Sequence, residues 1–90
     1  MIEQQASMQD RPEEYESLVQ ATYEAVLTSG DIAIDVGAHV GRHTIPMAAK
    51  VLPNGRVFAF EPLSMCRTML EEQLTRQHHA ELAKVITTYS

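Results

Sequence analysis

Cysteine is almost missing from this chain of 90 residues, and tryptophan is missing altogether. A lone cysteine, Cys66, cannot close an internal disulfide and fits no metal-ligand spacing, so it is expected to be a small buried apolar residue in a reducing compartment. Basic residues are also scarce, 7 against 12 acidic ones, for a net charge of -5. Such a balance repels a phosphate backbone, and nucleic acid is not an expected partner. Nowhere does an apolar run approach the ~20 residues needed to cross a bilayer, so no membrane span is expected. The opening MIEQQASMQDRPEE lacks the basic start and apolar stretch of a secretory signal, which points to the cytoplasm.

What is present is ordinary for a globular domain: 44% hydrophobic and 21% charged residues, enough for one domain with a thin core. Residues 1–9 read as a flexible leader and residues 10–90 as the domain. From Asp10 the pattern turns helical, with Asp10 as cap, Pro12 in an early position and Glu13 three residues beyond the cap. Tyr15, Leu18, Val19, Thr22, Tyr23, Val26 and Leu27 follow the spacing of one buried helical face, and Gly30 supplies a stop. Glu13, Glu14 and Glu16 read as a solvated face.

DIAIDV, residues 31–36, is a short apolar run that suits a strand buried on both faces. Residues 42–52 read as a helix with Ile45, Ala48, Ala49 and Leu52 inward, and Pro46 requires its regular part to start somewhat after Gly41. Pro53-Asn54-Gly55 is turn chemistry, because proline presets the first corner while asparagine and glycine tolerate positive φ, and RVFAFE, residues 56–61, is a second strand. Ser64 is placed to cap a helix to about Gln77, with Cys66, Met69, Leu70 and Leu74 on its apolar face. The β-branched stretch within residues 84–89 reads as a third strand. Strands alternating with helices imply parallel pairing, hence an α/β, Rossmann-like partial doubly wound sheet of strand order 3-2-1.

In such sheets ligands lie beyond the carboxyl ends of the strands. DVGAHVG, residues 35–41, falls at the end of the first strand, and Glu61 with Pro62 at the end of the second. Gly37, Ala38 and Gly41 let the backbone approach a ligand, while Glu61 offers two oxygens to the two hydroxyls of a ribose. The acidic residue stands 24 positions past Gly37, close to the ~20 of nucleoside-binding folds in general. The glycine order narrows the choice, because a dinucleotide fingerprint needs GxGxxG and this turn keeps only Gly37 and Gly41.

The acidic start DxGxxxG resembles motif I of the class I S-adenosylmethionine-dependent methyltransferases. The longer run DVGAHVGRHTIPMAAKVLPNGRVFAFEP, residues 35–62, is similar to the FkbM-type members of that class. The resemblance implies that residues 37–41 lie against the methionine and ribose portions of the cofactor. It further implies that Asp35 orders the loop or binds through water, that Glu61 holds the ribose, and that Thr44 is a further contact. His39 stands where the family often has asparagine; both types tolerate left-handed backbone, so His39 is expected to shape the loop.

Methyl transfer, with an oxygen of a small molecule as the expected acceptor, follows from the resemblance. No residue here is assigned as catalytic base, and His78 and His79 read as helix-end or solvated side chains, with no metal site expected. The class I fold resembles a seven-stranded sheet, of which the chain supplies about three strands, so it reads as a fragment of doubtful activity by itself. Two rivals remain: a fragment of an NAD-type oxidoreductase, and a noncatalytic module that self-associates through an exposed sheet edge.

Overall fold

The computed structural model describes residues 12–90, so the Asp10 cap and the leader lie outside the described residues. Helix α1 (Pro12–Val26) leads into β1 (Ile32–Val36), α2 (Thr44–Val51), β2 (Arg56–Phe60) and α3 (Ser64–Leu74). A 3-10 turn at Gln77–His79, a short α4 (Ala80–Ala83) and β3 (Ile86–Tyr89) complete the order. The strands are all parallel and adjacent as β1-β2-β3, with β2 central. Ile32 pairs with Arg56 and Val36 with Phe60 across the first interface; Val57 pairs with Ile86 and Phe60 with Tyr89 across the second.

The core lies on one face of this sheet. Ala33, Val57 and Val85 meet Ala48 and Val51 of α2, while Ala59 meets Ala38 and Leu70 of α3. The alternate residues Ile32, Ile34, Val36, Phe60 and Tyr89 are exposed, although Phe60 and Tyr89 stack with ring centroids 4.9 Å apart. The expectation that β1 is buried on both faces is therefore corrected: among the described residues, helices cover only the Ala33 side. Its apolar run marks a parallel strand correctly but does not say how many faces have a neighbour.

Three helical faces also differ from the periodic reading. On α1, Val19 and Tyr23 are half-buried, as is Leu27 just past its end, whereas Leu18 and Val26 are exposed and Tyr15 is nearly half exposed. The helix packs against α2 and the loop residues Arg42 and His43 just before it, a narrower support than a sheet. In α2 the fully buried residues are Thr44, Ala48 and Val51, and Ala49 faces solvent; Pro46 sits in the first turn, where no intrahelical N–H is lost. In α3 only Leu70 is buried, Met65 and Met69 are exposed, Cys66 is half-buried, and Ser64 is the first helical residue without acting as a side-chain cap. That helix ends at Leu74, earlier than Gln77, and residues 77–83 continue as short helical turns that the sequence pattern did not announce. Among the described residues, no helix is long and apolar enough to cross a membrane.

Candidate functional site

The turn after β1 is shaped by three residues in the left-handed region: Gly37 at φ +77°, His39 at +53° and Gly41 at +103°. At Gly41 a side chain is excluded twice, by the backbone angle and by crowding, since a Cβ would sit 2.7 Å from Leu70 Cδ1 and 3.2 Å from Ile45 Cδ1. At Gly37 a Cβ would meet nothing within 4 Å, so its glycine serves the backbone angle and leaves open space above. His39 tolerates its φ as a turn residue does, in keeping with a loop-shaping role.

The ends of β1 and β2 are tied together by this turn. The N–H groups of Gly37 and Ala38 both donate to the Phe60 carbonyl, at 2.8 and 3.0 Å. The Glu61 carboxylate is only 2% exposed and accepts two further backbone bonds, from His39 N–H at Oε1 and from Leu63 N–H at Oε2, each 2.8 Å. These bonds favour the charged form: the Leu63 N–H first and the His39 N–H second hold the Glu61 carboxyl below the ordinary 4.5 of a glutamate. Asp35 is fixed in the same manner from the other side, accepting the Thr44 hydroxyl at 2.6 Å. Thr44 is fully buried, so it reaches Asp35 and does not face the open space.

That open space is a cavity of about 340 Å³ at the carboxyl end of β1, within the size range of small-molecule sites. Of the residues singled out from the sequence, Asp35, Gly37, Ala38 and His39 line it; Gly41, Thr44, Glu61 and Pro62 do not. Ala38 lines the cavity while its side chain belongs to the core beside Ala59 and Leu70. The remaining wall was not foreseen. Tyr15, Glu16 and Val19 of α1 contribute to it, together with Arg42, His43 and Met47.

A polar network holds α1 in this position: Glu13 and Glu14 are exposed, as expected of a solvated face, whereas Glu16 is half-buried against the turn. Arg42 Nη1 donates to both carboxylate oxygens of Glu13, at 3.0 and 2.9 Å, and Arg42 Nε lies 4.0 Å from Glu16 Oε2. Glu16 Oε2 and the Tyr23 hydroxyl each lie 2.8 Å from a ring nitrogen of His43, Nε2 and Nδ1 respectively. A carboxylate only accepts, so His43 donates from Nε2 and, as a neutral ring, accepts the Tyr23 proton at Nδ1. Both ring nitrogens are thus engaged within the chain, which leaves His43 no position for a substrate proton.

Burial, followed by the nearby Glu24 and Asp35 charges, pushes the Tyr23 phenol up to about 12. The protonated form is the native one, so the stability it brings is present below the ordinary 10 and is lost as pH rises through about 12. Spectrophotometric titration is expected to resolve one tyrosine near 12 that disappears in Tyr23→Phe. Survival of that transition in the variant would refute the assignment. Elsewhere, His79 Nδ1–H donates to the Gln73 carbonyl at 2.8 Å and its ring lies 4.1 Å from that of His78, a helix-end arrangement remote from the cavity lining.

The fold has solved counterparts among methyltransferases. A candidate rRNA-methylase from Clostridium thermocellum matches with a TM-score of 0.73 and 23% identity, over 81% of this chain and 38% of that one. A candidate O-methyltransferase from Klebsiella pneumoniae matches with a TM-score of 0.56 and 19% identity, over 83% of this chain and 30% of that one. The chain therefore spans well under half the length of either, and the likeness establishes an α/β unit of the methyltransferase type with three parallel strands. No family model and no curated protein sequence matches the chain.

Proposed function

We propose that the chain is the cofactor-binding portion of an S-adenosylmethionine-dependent methyltransferase, transferring a methyl group to an oxygen of a small-molecule acceptor. The observation that carries this reading is the Gly37 to Gly41 turn, bonded to the ends of β1 and β2 and opening onto a cavity at the carboxyl edge of a parallel sheet. Two glycines without the GxGxxG order suit a nucleoside with an amino-acid tail better than a pyrophosphate. The run from residue 35 to residue 62 supports the FkbM type within the class, and in the 3-2-1 order of that class a fourth strand joins at the outer edge of β1.

S-adenosylmethionine, if bound, would supply a methyl group on a sulfonium, activated because breaking its carbon–sulfur bond releases a neutral thioether. The residues present hold and orient. Gly37 and Ala38 offer close backbone approach, Asp35 is fixed beside them by Thr44, and Glu61, at the end of β2, would meet the ribose hydroxyls through the acceptor capacity left on its oxygens. Positioning of this kind can account for much of the acceleration of an in-line displacement.

Calorimetric titration of the chain with S-adenosylmethionine, S-adenosylhomocysteine and NAD tests the reading. Binding of the first two and not of NAD is expected; binding of NAD in preference would replace it with the oxidoreductase alternative. A second reading, a noncatalytic module that self-associates, is favoured by the exposed Ile32, Ile34 and Val36 along β1. Concentration-dependent sedimentation combined with no nucleoside binding would carry that one instead.

A further inference from the structure

We infer that Gln73 of α3 is a positioning residue for the glycine turn: its side chain fixes the peptide between Val40 and Gly41, and through it the backbone that a ligand meets at Ala38. The inference rests on the cofactor reading above and deepens it. The first half of the turn is bonded to β2 and its end, through Gly37 and Ala38 N–H on the Phe60 carbonyl and His39 N–H on the Glu61 carboxylate. The second half is held differently. The Gly41 N–H donates to the Ala38 carbonyl at 2.9 Å, closing a four-residue turn, and Gln73 Nε2 donates to the Val40 carbonyl. These two bonds leave one peptide in opposite directions and hold it in a single orientation.

Gly41 is the reason this peptide needs a second anchor. Glycine accepts either sign of φ, so nothing intrinsic to Gly41 opposes rotation of the peptide once its carbonyl is released. Rotation withdraws the Gly41 N–H from the Ala38 carbonyl, and Ala38 lines the cavity. Neither Gln73 nor Val40 is part of that lining, so Gln73 acts on the site through the turn and not by touching a ligand. A carbonyl only accepts, so the amide nitrogen of Gln73 and not its oxygen is required at Val40. The rest of α3 presents this side chain. Leu70, three residues earlier on the same helical face and fully buried, packs against Gly41, with its Cδ1 2.7 Å from where a Cβ on that glycine would stand. At the helix end the Gln73 carbonyl accepts Arg76 N–H at 3.2 Å and His79 Nδ1–H at 2.8 Å, which fixes the backbone from which the side chain reaches.

Titration with S-adenosylhomocysteine, amide hydrogen exchange and thermal melts test this together. Gln73→Leu keeps a good helix former, removes the donor and leaves the carbonyl of half-buried Val40 unpaired. It is expected to weaken S-adenosylhomocysteine about tenfold and to speed exchange at Gly41 about tenfold relative to Val57, whose N–H is bonded to the Val85 carbonyl in the sheet. Gln73→Lys returns a donor on a longer stem and is expected to recover part of both. Val85→Ala, a truncation in the core cluster of Val51 and Val57, is expected to lower the melting temperature at least as far while affinity stays within about twofold. A merely structural role for Gln73 would not give that contrast. Binding of Gln73→Leu within about twofold, exchange at Gly41 unchanged relative to Val57, or an equal loss of affinity in Val85→Ala would overturn the positioning role and leave the cofactor reading standing. If the unmodified chain binds neither S-adenosylhomocysteine nor S-adenosylmethionine, the cofactor reading fails; exchange at Gly41 then decides by itself whether Gln73 sets the turn, faster exchange in Gln73→Leu supporting it and unchanged exchange overturning it.

Discussion

Glu61→Gln is expected to reduce S-adenosylmethionine binding by on the order of a hundredfold, because it disrupts a buried carboxylate that accepts two charge-assisted backbone bonds and so orders the turn of the proposed site. A glutamine side chain has one oxygen and one NH2 group, so one of the His39 and Leu63 N–H donors would face another donor, and the turn would have to move. The control is His39→Gly. It keeps the N–H that Glu61 accepts and suits φ +53°, so binding within about threefold of the unmodified chain is expected. Isothermal titration decides; a Glu61→Gln variant that binds within threefold of the original would remove Glu61 from the site.

The same residue predicts the direction of a pH effect. Its native pKa is depressed below 4.5, so its contribution to stability is complete above 4.5 and is lost as pH falls through the lower native value. Thermal midpoints of the unmodified chain and of Glu61→Gln should therefore differ most near neutrality and converge in acid. A gap that widens on acidification would contradict the bonding described.

Gly55→Ala is expected to be the most destabilising of the glycine-to-alanine changes. A Cβ there would stand 2.5 Å from Val51 Cβ and 2.6 Å from the Val51 carbonyl oxygen, and would also collide with the Asp31 carbonyl oxygen. Two of these three are backbone atoms already in use: the Val51 carbonyl accepts the Gly30 and Gly55 N–H groups, and the Asp31 carbonyl accepts Arg56 N–H. They cannot swing aside as a side-chain end could, so relief requires separating α2 from the start of β2. Overpacking of a well-packed site costs about 1–3 kcal/mol, and this site belongs at or above the upper end. For a domain of this size that is a fall in melting temperature of roughly 10 °C or more. Circular-dichroism melts measure it, and a fall under about 3 °C would show that the turn has slack. Gly41→Ala should cost less in crowding, because its nearest obstacle is the mobile end of Leu70, even though its φ adds strain.

Gly55 also shows where reading along the chain gave the right residue for the wrong reason. Pro53-Asn54-Gly55 announced a turn, with glycine expected for positive φ. Gly55 is not among the positive-φ glycines, and its need is steric, set by Val51 and Asp31 from neighbouring elements.

The sequence alone determined the alternation of helices and three strands, the parallel pairing it implies, and the glycine turn at the carboxyl edge. These depend on spacing a few residues long: apolar runs, turn residues and the φ that glycine permits. It did not determine which faces would be covered, because burial of Ile34 or Val36 depends on what packs across them, not on their own character. Nor did it reveal the α1 wall. Glu16 and Arg42 lie 26 positions apart and become neighbours only when the helix docks beside the turn, so nothing in either residue's local pattern distinguishes them from solvated charges. Glu61 lies between these cases: its place at a strand end was legible, whereas its burial and its hold on His39 and Leu63 required the loop to fold back over it. Local periodicity is written along the chain, and contact between distant elements is decided by packing in three dimensions.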